Sequence, residues 1–139
     1  MTPDPSTPAG ARALGRLETE VIGWLTTINP AGQPQSSPIW FLWTGGEILI
    51  YSHKRAPRNG NIEDRSSVAF SLNTDAEGGD VVTMEGRAKI EAGGPPASAN
   101  TAYLAKYQGK LDGYGWTADY FSGEYPAVVR VTPTRWRVG

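Results

Sequence analysis

The chain has 139 residues, 39% of them hydrophobic, and 13 Lys and Arg stand against 14 Asp and Glu for a formal net charge of −1. One domain of this length can bury a core without help from a metal or a disulfide. With no cysteine and a single histidine, His53, thiolate metal sites, iron–sulfur clusters, cysteine nucleophiles and redox dithiols are excluded.

A Ser-His-Asp triad would need His53, which lies in a basic stretch with no orienting carboxylate nearby. A net charge near zero argues against a nucleic-acid partner, which calls for a broad basic face. No run approaches the roughly 18 apolar residues of a membrane span. Residues 1–9 read as a flexible tail without the basic start and apolar core of a signal peptide, and a cytoplasmic location is expected. Five tryptophans and six tyrosines suit either a β-rich core or stacking on a planar ligand.

The segment Pro8 to Glu20 predicts a helix, with Leu14, Leu17 and Val21 spaced by three and four. Ile22 to Ile28 reads as a strand, and the turn chemistry of Asn29 to Pro34 returns the chain antiparallel. The returning segment Gln35 to Trp43 carries Pro38 in mid-run, which places an edge or irregularity there because proline donates nothing to a ladder. Thr44-Gly-Gly-Glu47 turns into the strand Ile48 to Ser52, and a short helix spans Pro57 to Asp64. Strands follow at Ser67 to Asn73 and Asp80 to Glu91, the second alternating apolar and polar side chains. Gly93 to Pro96 opens a helix with Tyr103, Leu104, Tyr107 and Leu111 on its apolar side, and the chain loosens from Gly109 to Gly115. A helical turn at Trp116 to Phe121 precedes the strand Ala127 to Thr132, which continues through Val138 after a break at Pro133. The expected architecture is mainly β (α+β): six antiparallel strands in a small barrel with a few peripheral helices, residues 10–139 forming one domain.

Between Tyr51 and Asn61 lie four of the chain's fourteen basic or imidazole side chains, and no Asp or Glu occurs from Ile48 to Ile62. A strand emptying into a basic, hydroxyl-bearing loop before a helix can cradle an anion, through backbone N–H groups, Ser52 and guanidinium groups. A solvated surface loop would have the same composition.

Four segments carry a resemblance. They are Trp24 to Phe41, whose hairpin leads into Ser-Pro-Ile-Trp; Leu49-Ile-Tyr-Ser52; Pro57-Arg-Asn-Gly-Asn-Ile62; and Arg130-Val-Thr-Pro-Thr-Arg-Trp136. Their order and spacing resemble the pyridoxamine-phosphate-oxidase-like split β-barrel, a family of flavin and deazaflavin binders, and most of all its actinobacterial branch using coenzyme F-420. The resemblance implies that the cofactor ring lies across the second strand at Ser36, Ser37, Pro38 and Trp40. It places the phosphate on Tyr51, Ser52 and Arg58, with Asn61 in support. Arg58 stands where the family usually has lysine, and a guanidinium forks onto phosphate equally well. Lys54 and Arg55, with Lys106 or Lys110, exceed what one phosphate needs and suit the longer anionic tail of F-420 over FMN. Homodimers with sites at the interface are the family's habit, which makes Trp136 and Arg137 candidates to reach a partner's cofactor.

The implied activity is an oxidoreductase moving a hydride between deazaflavin and a small organic substrate. The cofactor carries the chemistry, so no protein nucleophile is needed and no catalytic side chain is assigned. Tyr107, Tyr114, Trp116 and Tyr120 are candidates to wall the substrate pocket. The alternatives are an FMN enzyme of the pyridoxamine 5'-phosphate oxidase type, or a non-catalytic binder of flavin, deazaflavin or haem. For haem, His53 is the one imidazole on offer.

Overall fold

Thr7 turns the chain into its first helix: its Oγ1 accepts the Gly10 N–H at 3.0 Å, and Pro8 presets the first helical φ. This helix, α1 (Pro8–Thr19), buries Ala13 and Leu17. A computed structural model describes all residues 1–139. The segment expected as a free tail is held down, since Pro3 is buried and Trp136 donates its indole N–H to Met1 O at 3.0 Å.

The strands are β1 (Gly23–Ile28), β2 (Pro34–Ile39), β3 (Leu42–Thr44) and β4 (Glu47–Ser52). After α2 (Pro57–Asp64) come β5 (Ser67–Ser71), β6 (Val82–Ile90), α3 (Thr101–Tyr114), α4 (Ala118–Glu124) and β7 (Ala127–Val138). All pairings are antiparallel, in the order β2-β1-β5-β6-β7-β4-β3. The strands at the two ends of that order, β2 and β3, are separated in sequence only by Trp40 and Phe41. The sheet therefore curls until its ends meet at one bend, which is the split barrel expected from the sequence.

There are seven strands, not six. Pro38 lies on an edge strand, as expected, and keeps its register opposite Trp24 where a missing donor costs nothing. The segment Gln35 to Trp43 divides into two strands at Trp40–Phe41, where one ring turns out of the barrel and the other in. Conversely, Pro133 does not divide the last strand. Gly86 pairs with Pro133 and Glu85 with Arg135, so Thr134 is the extra residue of a bulge inside a continuous twelve-residue β7. Gly86 fits this point because a Cβ there would sit 2.7 Å from Thr132 O.

Two cores result. Leu25, Phe41, Ile48, Ile50, Phe70, Met84, Val129 and Val131 fill the barrel, and Ala13 and Leu17 of α1 pack onto them. Outside the barrel wall, Leu49, Tyr51 and Val128 pack against Tyr103, Tyr107 and Leu111 of α3 and Phe121 of α4. Strand β4 lies between the two and is buried on both faces from Ile48 to Ser52, hence its unbroken apolar run. Asn100 caps α3 by accepting the Tyr103 N–H at 3.0 Å. The helix runs past the expected loosening at Gly109, to Gly115 in the left-handed region at φ 72°.

Candidate functional site

At the bend between β2 and β3 the backbone leaves its ladder, and α3 supplies the missing partners. The Tyr107 hydroxyl accepts the Phe41 N–H at 2.8 Å and lies 2.9 Å from Phe41 O and 2.7 Å from Val21 O. Lys106 donates to the same Phe41 carbonyl at 2.8 Å, with its ammonium 3.9 Å from the Phe41 ring centroid. Desolvation pushes the Lys106 pKa down to about 8. With Phe41 clamped inward, Trp40 projects outward and stacks on Tyr107 at 4.7 Å with 7° between the planes.

Beside that bend, Arg58 leaves the first turn of α2 toward the ends of β2 and β4. Its Nη1 donates to the Oγ of Ser52, a fully buried residue, at 2.9 Å, and its Nε reaches Ser37 Oγ at 3.4 Å. No Asp or Glu pairs with Arg58. Desolvation pulls its pKa below the ordinary arginine value, the cost of holding a cation half-buried without a counter-charge. Ala56 offers α2 no side-chain cap, and in the first turn Asn59 N–H donates to Ala56 O at 3.1 Å. An unpaired guanidinium anchored by two hydroxyls at a helix start fits an anionic group such as phosphate.

The guanidinium also forms one wall of a cavity of about 440 Å³, lined by Pro38 and Trp40, Tyr51 and His53, and the aromatic side chains of α3 and α4 and the segments that follow each. Trp40 and Phe121 stack at 5.7 Å and 15°, and Phe121 on Tyr125 at 4.5 Å and 12°. Tyr114, at 63% exposed, stands at the mouth.

The expected site residues thus divide. Ser37, Ser52 and Arg58 are joined directly, and Pro38, Trp40 and Tyr51 share the cavity wall with Arg58. The Tyr51 hydroxyl is engaged elsewhere, donating to Pro95 O and accepting from Asn100 Nδ2, each at 3.1 Å. Ser36 points away and shares a 2.6 Å hydrogen bond with Thr26. Lys54 pairs with Glu124 at 2.5 Å, leaving Arg55 exposed and without a carboxylate partner. Asn61 is buried and donates to Thr27 Oγ1 and Gln35 Oε1, both at 3.0 Å; it ties α2 to β1 and β2 rather than facing the anion cradle. Lys106 is likewise spent on the bend.

Of the expected pocket walls, Tyr114 and Trp116 line the cavity, Tyr120 is at its aromatic rim, and Tyr107 is fully buried behind Trp40. His53, set aside in the sequence reading, is part of the wall. Its Nδ1 accepts the Arg55 N–H at 3.0 Å, and its ring meets Tyr125 edge-on at 5.1 Å. Tyr103, Phe121 and Tyr125 also lie in the wall. The periodicity of α3 marks Tyr103 as inward-facing but cannot separate a core from a cavity lining.

A curled antiparallel barrel with a cation cradle at the mouth of an aromatic cavity is a flavin-binding oxidoreductase-type fold. More specifically, the chain belongs to the pyridoxamine 5'-phosphate oxidase family, whose model matches residues 11–138. Solved structures agree on the fold. An F-420 reductase is 23% identical with a TM-score of 0.64, over 88% of this chain and 94% of that one. A putative pyridoxamine 5'-phosphate oxidase from Listeria innocua is 19% identical with a TM-score of 0.68, over 92% and 95%. HutZ, the haem storage protein from Vibrio cholerae, is 14% identical with a TM-score of 0.65, over 99% and 95%. No curated protein matches the sequence.

Proposed function

We propose that the chain is an oxidoreductase that holds the phosphate of coenzyme F-420 at Arg58, Ser52 and Ser37 and works on a small organic substrate in the adjoining cavity. The observation that carries this reading is Arg58, a half-buried guanidinium with two hydroxyl anchors and no carboxylate. A charge left so by the fold is stabilised when an anion arrives. When bound, the cofactor supplies the hydride. The chain's own residues bind and orient: Arg58 and Ser52 fix the phosphate end, the backbone of β2 at Ser37 and Pro38 supports the ring, and Trp40 and Phe121 keep water from the reacting face.

The preference for F-420 over FMN is supported by the fold neighbour that is an F-420 reductase and by Arg55, an exposed guanidinium without a salt bridge three residues before Arg58 that is available to a longer anion. The pairing of Lys54 with Glu124 removes one of the cations first assigned to that tail. Two copies are proposed to associate, with Trp136 and Arg137 beside the outer groove that Thr26, Ser71 and Thr83 also line; sedimentation at micromolar concentration reporting only monomer would remove this part.

Titration of the purified protein with F-420 and with FMN, followed by fluorescence and absorbance, tests the choice. Tight binding of FMN with none of F-420 would overturn the cofactor assignment. Arg58→Ala should weaken cofactor affinity by on the order of 1.5–3 kcal/mol, as for a hydrogen bond to a charged group. Unchanged affinity would place the phosphate elsewhere. Haem, titrated alongside, should show no Soret shift that His53→Ala abolishes.

A further inference from the structure

The basic run between Tyr51 and Asn61 acquires its one carboxylate from far along the chain. Glu124 is the last residue of α4, where a negative side chain sits at the negative end of the helix, and no basic residue of the last turn offsets it. What holds it there is the loop after β4. Lys54 N–H donates to Glu124 O at 3.0 Å, and Lys54 Nζ lies 2.5 Å from the Glu124 carboxylate. The hydrogen bond from Lys54, helped by the nearby His53 and Arg55, holds the Glu124 carboxyl below its ordinary range. No other carboxylate pairs with His53, Lys54, Arg55 or Arg58.

This pair adjoins the anion cradle on two sides. Ser52, which anchors Arg58 at 2.9 Å, is two residues before Lys54. The loop between them and α2 is folded back on the helix start, since His53 O accepts from Ala56 N–H at 3.0 Å and from Asn59 Nδ2 at 2.9 Å. On the other side, Tyr125 follows Glu124 directly and shares the cavity wall with His53 and Arg58. The cradle therefore offers one guanidinium without a counter-charge, and next to it a lysine already neutralised by the protein itself.

We propose that Glu124 is a specificity-determining residue of the anion cradle: a resident counter-ion that withholds Lys54 from a simple phosphate and yields it only to a ligand whose negative charge extends beyond the first phosphate. The exchange replaces one exposed ion pair by another. Both side chains are partly exposed, at 44% and 29%, and such a pair contributes little to stability, so it can be broken at little cost to the fold. Its effect is on selectivity. Glu124 repels the far end of a long anion until that end displaces it from Lys54, whereas a phosphate at Arg58 is held with Ser37 and Ser52 and does not use Lys54. The inference rests on reading Arg58 as an anion site and is independent of which cofactor carries the anion.

Inorganic phosphate and tripolyphosphate, titrated calorimetrically into the protein at neutral pH and fixed ionic strength, test the assignment. Glu124→Gln keeps the shape of the side chain and the backbone bond to Lys54. It should strengthen tripolyphosphate binding about fivefold, the upper end for an exposed pair, and change phosphate binding by less than about twofold. In a Lys54→Met background the same substitution should gain less than about twofold, because the lysine it frees is gone. An equal gain for both anions, or an equal gain with and without Lys54, is general charge repulsion and overturns the proposal, as does no gain at all. Arg58→Ala separates failure of the cradle from failure of this inference. Phosphate affinity unmoved by Arg58→Ala, or no binding of either anion, removes both; phosphate binding that depends on Arg58 while tripolyphosphate ignores Glu124→Gln removes this inference alone.

Discussion

Removing one oxygen from Tyr107 should loosen the joint on which the cavity depends. In Tyr107→Phe the ring still stacks on Trp40, but three contacts of the hydroxyl disappear. Phe41 O keeps Lys106 at 2.8 Å, so that carbonyl remains satisfied. The Phe41 N–H does not: it is buried at a bend with no ladder neighbour, and an orphaned donor there costs about 1–3 kcal/mol. Val21 O also loses its 2.7 Å partner, but it belongs to a half-buried residue and water can replace part of the bond. The total comes to about 2–4 kcal/mol. At roughly 3 °C per kcal/mol for a domain of this size, the melting temperature should fall by about 6–12 °C. Urea unfolding followed by far-UV circular dichroism measures the difference, with an unchanged slope showing that the unfolded states are comparable. A loss below about 0.5 kcal/mol would refute the idea that α3 satisfies the backbone of the bend.

Lys106 should give the fold a distinctive alkaline behaviour. Its folded pKa is pushed down to about 8 from 10.5, so between those values the unfolded chain binds more protons than the folded one, and stability contributed by this group rises with pH. The contribution is present above about 10.5 and is lost as pH falls through 8. The buried hydroxyls of Tyr103 and Tyr107 oppose it near the upper end, because their raised pKa values favour proton release on unfolding. The urea midpoint of the wild type should therefore rise relative to that of Lys106→Met between pH 7.5 and 9.5; parallel curves would exclude titration of Lys106 in this window. Gly86→Ala should destabilise by about 1–3 kcal/mol or more, because its Cβ would meet Thr132 O at 2.7 Å, and backbone gives way less readily than a side chain. A melting temperature within error of the wild type would show that the bulge is soft.

The boundaries of β1, α2 and most of β6 were legible because their signals are local: β-branched runs, Pro57 at a helix start, and a period-two alternation with one wet face. Pro38 was legible as an edge or irregularity, and it lies on an edge strand. The break read at Pro133 is instead a bulge within one strand, because whether a missing N–H matters depends on which neighbour would have received it. Of the candidate site, an anion cradle using Ser52 and guanidinium groups could be proposed from a basic run following a strand, and the family resemblance singled out Arg58. The employment of Lys54 by Glu124, of Asn61 by Thr27 and Gln35, and of Lys106 by Phe41 could not be foreseen. Each partner lies at least 26 residues away in the chain.

Composition and pattern alone therefore determined that this chain is one antiparallel barrel domain without thiol chemistry, and that its unpaired cations cluster between Tyr51 and Asn61. Tertiary structure alone decided that Lys54 is paired with Glu124 while Arg58 keeps two hydroxyls and no carboxylate, and that Arg58 lines an aromatic cavity. Periodicity depends on neighbours three or four residues apart. Charge pairing and cavity formation depend on which surfaces meet when β2 and β3 are brought together around a bend of two residues.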